Sequence, residues 1–327
     1  MAGRRAQFIR RFAKLGQSLP VSLLMRLTGQ RVLVVLYHAV TDEAPPHLRH
    51  LYRIKTRAEF SADLDHLLRF LQPIDVHALR DHVTGRERLR KPGLLVTFDD
   101  GLREFHDVAA PILRAKGVPA ICFLNSDFVD NRGLFYRYTA SLLADRAGAA
   151  SEEAAYRKRI LGMGYDGENI LLDLAHDEGL DLRAYLREQR PYLSSGEILA
   201  LQNQGFHFGA HSVDHPEYKF LDLETQLRQT RRSQDYVEAH FGVKERWFAF
   251  PFTDHGVGRE FFQRLFAGKN APELTFGCAG LKRDIDRRHV QRIPLEMDGL
   301  SAREILPAEF LYYFAKAPLG KNKIRRA

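Results

Sequence analysis

A chain of 327 residues, 45% hydrophobic and 28% charged, can bury a full α/β core. Its formal charge of +8 sits at the ends: residues 1–31 hold seven Lys and Arg and no acid, the last twelve hold five and no acid, and without these twelve the body carries 37 basic against 41 acidic side chains. A mildly acidic body excludes a nucleic-acid groove, and two cysteines exclude a disulfide framework.

Residues 1–30 read as a basic amphipathic extension, with Phe8, Phe12, Leu15 and Leu19 at helical spacing and arginines on the other faces. Two readings stand side by side: a helix lying on an anionic membrane, or one packing on its own domain with solvated arginines. The run "PVSLLM" is shorter than the ~7 to 15 apolar residues of a signal peptide, and no stretch reaches the ~18 of a membrane span. A cytoplasmic protein, peripheral on the inner face of the membrane, is expected.

From 31 to 316 apolar, β-branched runs alternate with amphipathic helical patterns, the signature of βα units around a parallel sheet. Strands are expected at "RVLVVLYHAV", "LLVTF", "PAICFL", "FHFGA", "WFAF", "LTFGCA" and "HVQRIPLE", seven in all. Helices fit "RAEFSADLDHLLRFL" and "LETQLRQTRRSQDYVEAHF". Residues 131–193 break the rhythm with charge, Ala and Leu, and read as an inserted helical cap; "SSGE" from Ser194 is a capping box that opens the next helix. Residues 317–327 form a basic C-terminal tail.

Two stretches carry chemistry. In "LLVTFDDGLREF" the adjacent carboxylates of Asp99 and Asp100 follow an apolar strand, where like charges and burial demand a cation or a shared proton. In "FGAHSVDHPEY" His211 and His215 are four apart, so that one helical turn puts both imidazoles on one side, and Pro216 prevents a longer helix. Two imidazoles with Asp100 as third ligand make a catalytic zinc set, or the facial triad of an iron(II) oxygenase. Both stretches fall at strand ends, the face on which barrel enzymes assemble their sites.

"TFDDG" at 97–101 and "HSVDHP" at 211–216 resemble the first two motifs of the polysaccharide deacetylase superfamily (NodB-type, carbohydrate esterase family 4), and "FAFPF" at 248–252 is similar to the third. The likeness runs from "YHAV" to "RIPLE" and implies a distorted (β/α)7 barrel over 31–316, interrupted by the cap. It implies Asp99 as general base, Asp100, His211 and His215 as ligands of a divalent metal (Zn2+, with Co2+, Ni2+ or Mn2+ as substitutes), and the backbone N–H of Phe252 as oxyanion donor. Many members carry an arginine in the third motif that pairs with the catalytic Asp; Ala249 stands there, and Arg292 is its candidate replacement, against a reading as a surface ion pair. The family's C-terminal histidine acid has no counterpart after His289, which leaves His38 in "LYHAV" as the candidate acid, ahead of His255 and His289. The function implied is removal of N-acetyl groups from an amino sugar of a glycolipid, a lipid-linked intermediate or a polysaccharide. A non-catalytic carbohydrate-binding relative is the other reading, with the oxygenase behind it.

Overall fold

The computed structural model describes residues 4–147, 151–297 and 299–326. Two helices, α1 (Arg4–Gly16) and α2 (Val21–Thr28), precede β1 (Val32–Tyr37); α3 (Arg57–Leu68), β2 (Gln72–Pro73), α4 (Val76–Thr84), β3 (Gly93–Phe98), α5 (Ala110–Ala115) and β4 (Ala120–Leu124) follow. The expected insertion is four helices, α6 (Tyr136–Arg146), α7 (Ser151–Leu161), α8 (Glu168–Asp177) and α9 (Leu182–Gln189). The βα rhythm then resumes with α10 (Ser195–Gln202), β5 (His207–Ala210), α11 (Leu223–Phe241), β6 (Phe248–Ala249), α12 (Arg259–Ala267) and β7 (Thr275–Gly277), and ends with β8 (His289–Gln291), β9 (Ile293–Pro294) and α13 (Ala302–Lys316).

The named strands all pair in parallel and the sheet runs β8-β7-β6-β5-β4-β3-β1-β9, with β2 beside β3. Because β8 and β9 are consecutive in the chain yet lie at opposite ends of this order, the sheet nearly closes into a barrel. The single expected strand "HVQRIPLE" is therefore two: residues 289–291 pair with β7, residues 293–294 pair with β1, and Arg292 between them turns its side chain into the barrel. Strands β1, β3 and β4 are buried almost throughout, as both faces of a parallel sheet under helices must be. The helix α3 starts at a Thr56–Glu59 capping box and lays Phe60, Leu64 and Leu67 on the strands; the Ser194–Glu197 box opens α10.

The insertion packs a second apolar cluster, in which Tyr138, Leu143 and Tyr192 meet Leu48 and Ile54 from the segment after β1 and Leu102 from the segment after β3. It thereby stands over the C-terminal ends of the strands.

The basic ends are not free extensions. Ile9 and Ala13 of α1 are fully buried, the Phe8 ring meets Tyr312 of α13 at 5.2 Å, and Arg5 pairs with the buried Glu309, so the apolar stripe faces the protein's own α13. The Leu15 side chain lies outside the described ones. At the other end Ile324 bonds to Arg283, and Arg326 is buried with Asp254 and Asp284. No helix among the described residues is long and apolar enough to cross a membrane.

Candidate active site

The turn after β3 fixes the two carboxylates. Asp100 (φ 71°) and Gly101 (φ 66°) are both left-handed, a conformation that Asp tolerates and Gly prefers. A Cβ at Gly101 would also stand 2.8 Å from Leu124. The result is two acidic side chains, 3% and 6% exposed, in the barrel mouth. Asp99 is held by Arg292 in a two-pronged ion pair, Nη1 to Oδ1 at 2.6 Å and Nη2 to Oδ2 at 2.8 Å. Burial alone would raise the Asp99 pKa, but the charge of Arg292, then that of His211, outweigh it and hold Asp99 ionised. Arg292 Nε donates to the Gly277 carbonyl and Nη1 also reaches Thr97. The arginine is thus a fully buried counter-ion, and the surface ion-pair reading fails.

Asp100 faces the imidazoles instead. Its Oδ1 lies 3.1 Å from His215 Nε2 and 3.5 Å from His211 Nε2, while His211 Nε2 is 3.8 Å from Asp99 Oδ2. The expected helical turn is absent: Ser212 (φ 72°) and His215 (φ 64°) are left-handed, and the His215 N–H bonds to Ser212 Oγ in an irregular loop after β5. The loop brings the two rings to 4.9 Å nonetheless.

Protonation follows from the neighbours. His211 Nδ1 lies 2.9 Å from the Ala249 carbonyl, which can only accept, so Nδ1 carries the proton and Nε2 turns a lone pair toward Asp100. Burial pushes the His211 pKa down to about 4 despite the carboxylates, so the ring is neutral near pH 7. Asp100 Oδ1 is buried with no hydrogen bond. An orphaned carboxylate oxygen beside imidazole nitrogens, with no proton between it and His211, fits a divalent cation held by Asp100, His211 and His215. Asp99, committed to Arg292, stands outside that set. A second cluster, Asp254, Asp284 and His289, also converges, but the guanidinium of Arg326 already sits in it.

His38, just past β1, is partly exposed at 29% of its side chain and bonds through Nδ1 to Glu296 Oε2 at 2.6 Å. Burial opposes its charged form, yet the charge and hydrogen bond of Glu296, then Asp100 and Asp99, raise its pKa to about 9. Glu296 was not legible as a site residue: it ends "RIPLE", and only the pairing of β9 with β1 brings it to His38. The Phe252 backbone is left-handed (φ 53°), its ring stacks edge-on to His215 at 4.7 Å, and its N–H has no partner among the described residues. His255 is exposed and His289 is bonded to Asp254, both outside the mouth.

The insertion also enters the site. Phe135 packs on the His215 ring at 4.3 Å, and Tyr138 donates its hydroxyl to Asp100 Oδ2 at 2.8 Å. Tyr138 therefore orients the carboxylate whose other oxygen is orphaned. Tyr138→Phe is expected to weaken metal binding about 10- to 100-fold while the fold survives, as loss of a ligand's supporting hydrogen bond does; competition with a chromogenic chelator measures it.

Comparison with known proteins agrees with this geometry. A family model described as polysaccharide deacetylase matches residues 86–257. Among solved structures the fold is similar to the Streptococcus pyogenes deacetylase PplD (14% identity, 85% of this chain and 97% of that one, TM-score 0.58). It is similar too to IcaB from Ammonifex degensii (19%, 86% and 97%, 0.56) and to the BpsB deacetylase domain from Bordetella bronchiseptica (14%, 81% and 96%, 0.51). At these identities the likeness establishes the barrel fold. Comparison with curated protein sequences gives no match.

Proposed function

Because the chain belongs to the polysaccharide deacetylase family, and is on that ground a hydrolase of non-peptide amide bonds, we propose that it removes N-acetyl groups from an amino sugar of a glycolipid, lipid-linked intermediate or polysaccharide in a metal-dependent reaction. The observation that carries this reading is the division of labour between adjacent carboxylates: Asp99 locked to Arg292, Asp100 turned to His211 and His215.

A divalent ion on Asp100, His211 and His215, with Zn2+ as the expected one, would polarise the acyl carbonyl and acidify a water. The protein's own groups supply the rest. Asp99, ionised and fixed in orientation by the fork of Arg292, uses a remaining lone pair to take the proton of the attacking water. The N–H of Phe252 donates to the oxygen that becomes negative as the carbonyl turns tetrahedral; such a donor contributes about 3 to 4 kcal/mol to the barrier. His38, protonated at neutral pH, gives its proton to the departing amine nitrogen, and acetate leaves. In this reading the exposed Arg10, Arg11 and Lys14 of α1 touch an anionic membrane at the cytoplasmic face.

The test is acetate release from free and lipid-linked N-acetylhexosamines with and without chelator. Release that survives complete metal removal, or none from any N-acetyl sugar, would sink the proposal. The role of His38 has its own signature. The acid form is lost as pH rises through about 9, so activity should fall there. Glu296→Gln should move that fall towards the ordinary imidazole value of about 6.5, costing roughly thirtyfold at pH 8. His38→Gln should abolish the limb.

A further inference from the structure

Behind the loop that carries Phe252 lies a cavity of about 630 Å3, walled by Thr253–Gly258, the end of α13 and the C-terminal segment. Six cations line it: Arg326, which is committed to Asp254 and Asp284, and five more, Lys282, Lys316, Lys321, Lys323 and Arg325. None of the five forms an ion pair among the described residues; Lys316 lies over the Tyr312 ring at 5.3 Å. The one acid on the wall, Asp254, is already bound by Arg326 and His289. We propose that this cavity is a binding site for a phosphate or pyrophosphate ester.

Lysines scattered on a surface are solvated and need no partner, but these converge on one concavity. Lys282 is the most informative of them. Partly buried, it has its pKa pushed down first by burial and then by the like charges of Arg5 and Lys316, which outweigh the carboxylates of Asp254 and Glu309. The fold therefore gathers on one concavity several cations whose own acids, Asp254 and Glu309, are already engaged by Arg326 and Arg5, and leaves room there for a further anion. A phosphate offers three or more acceptor oxygens and up to two charges, enough to engage several ammonium donors at once, whereas a single carboxylate satisfies one or two. A neutral sugar gains nothing from this wall.

The place in the fold gives the site its meaning. Thr253 directly follows Phe252, and Cys278 Sγ donates to the Phe252 carbonyl while its neighbour Ala279 lines the cavity. One loop thus separates the phosphate site from the oxyanion donor. The inference rests on the deacetylase reading only for what the phosphate is attached to: a phosphorylated amino sugar in solution, or the headgroup of an anionic lipid. The exposed Leu319 on the rim gives the lipid source an apolar contact.

The experiment titrates the full-length, metal-loaded chain with inorganic phosphate by calorimetry, beside the double variant Lys282→Gln/Lys316→Gln. Among the described residues neither side chain hydrogen-bonds to the fold or touches the catalytic groups, so release of acetate from a neutral N-acetyl sugar should be unchanged. Phosphate affinity should fall about tenfold or more, as expected for two lost charge-assisted contacts. Absence of phosphate binding, or binding equal in the double variant, overturns the proposal. Phosphatidylcholine vesicles with and without phosphatidylglycerol separate the sources: pull-down only by the anionic vesicles, abolished by the double variant, identifies a lipid headgroup. Phosphate binding without vesicle binding identifies a soluble ester. Loss of acetate release on every sugar with phosphate binding intact would remove the deacetylase reading and leave the site standing.

Discussion

Asp99→Asn is expected to lower acetate release by about 10²- to 10⁴-fold with metal content unchanged, the loss typical of a missing general base. Asparagine keeps the size and one acceptor oxygen for Arg292, but its amide cannot take a proton from water and sets a donor against a guanidinium N–H. The measurement needs three readings on one sample: acetate release, bound metal by elemental analysis, and unfolding in urea. The distance arrangement predicts that the metal stays, because the free oxygen at the focus of the two imidazoles belongs to Asp100. Asp100→Asn should do the reverse and lose the metal along with activity. If Asp99→Asn sheds the ion instead, the two carboxylates have been assigned the wrong way round.

The barrel was legible because parallel strands under helices have no polar face: "LLVTF" and "AICFL" are buried from end to end and announce themselves as continuous apolar runs. What escaped were elements held by pairing rather than by pattern. The two-residue β2, with Pro73, has too few residues to display a period, and the break at Arg292 that divides "HVQRIPLE" into β8 and β9 is set by the different partners of its halves, β7 and β1. The amphipathic stripe of α1 was visible, but a stripe states that one face must be covered and not what covers it. Here α13 does so, with Arg5 on Glu309. The buried C-terminal Arg326 was hidden for a similar reason, since a basic tail looks solvated until its acids, Asp254 and Asp284, are brought to it.

The site divides the same way. Asp99, Asp100, His211 and His215 could be named because their chemistry is written in short motifs at strand ends. The spacing argument for the histidines brings the two rings together through the wrong conformation, a helical turn where two left-handed residues do the same work. Glu296 and Tyr138 had no such signal. One follows the two-residue β9 and the other sits among cap aromatics, and each joins the candidate site only through a long-range contact, with His38 and with Asp100. Ala249 leaves no arginine in the third motif, but Arg292 enters between β8 and β9 to fork onto Asp99, and the Ala249 carbonyl sets the His211 tautomer.

Its full burial against Asp99 makes Arg292 the residue whose removal should disturb the folded state most. Arg292→Met keeps volume and leaves Asp99 buried without its counter-ion, so the metal-free protein should lose about 3 to 5 kcal/mol of stability at neutral pH, against about 0 to 1 for a surface pair. The pH dependence carries the sign. In the wild type Asp99 has a folded pKa below its unfolded value of about 3.9, so its contribution is present above that value and disappears as pH falls through the folded pKa. In Arg292→Met burial dominates, the Asp99 pKa rises, and the variant recovers stability relative to wild type as acid supplies the missing proton. Urea unfolding at several pH values should show the gap between the two proteins widest near neutrality and narrowing towards pH 4. The double variant Arg292→Met/Asp99→Asn removes the stranded charge and should regain much of the loss, a coupling that double-mutant analysis reads directly. A gap that is small and flat with pH would mean that Arg292 and Asp99 are not one buried ion pair in solution, and the base would then lack the group that orients it.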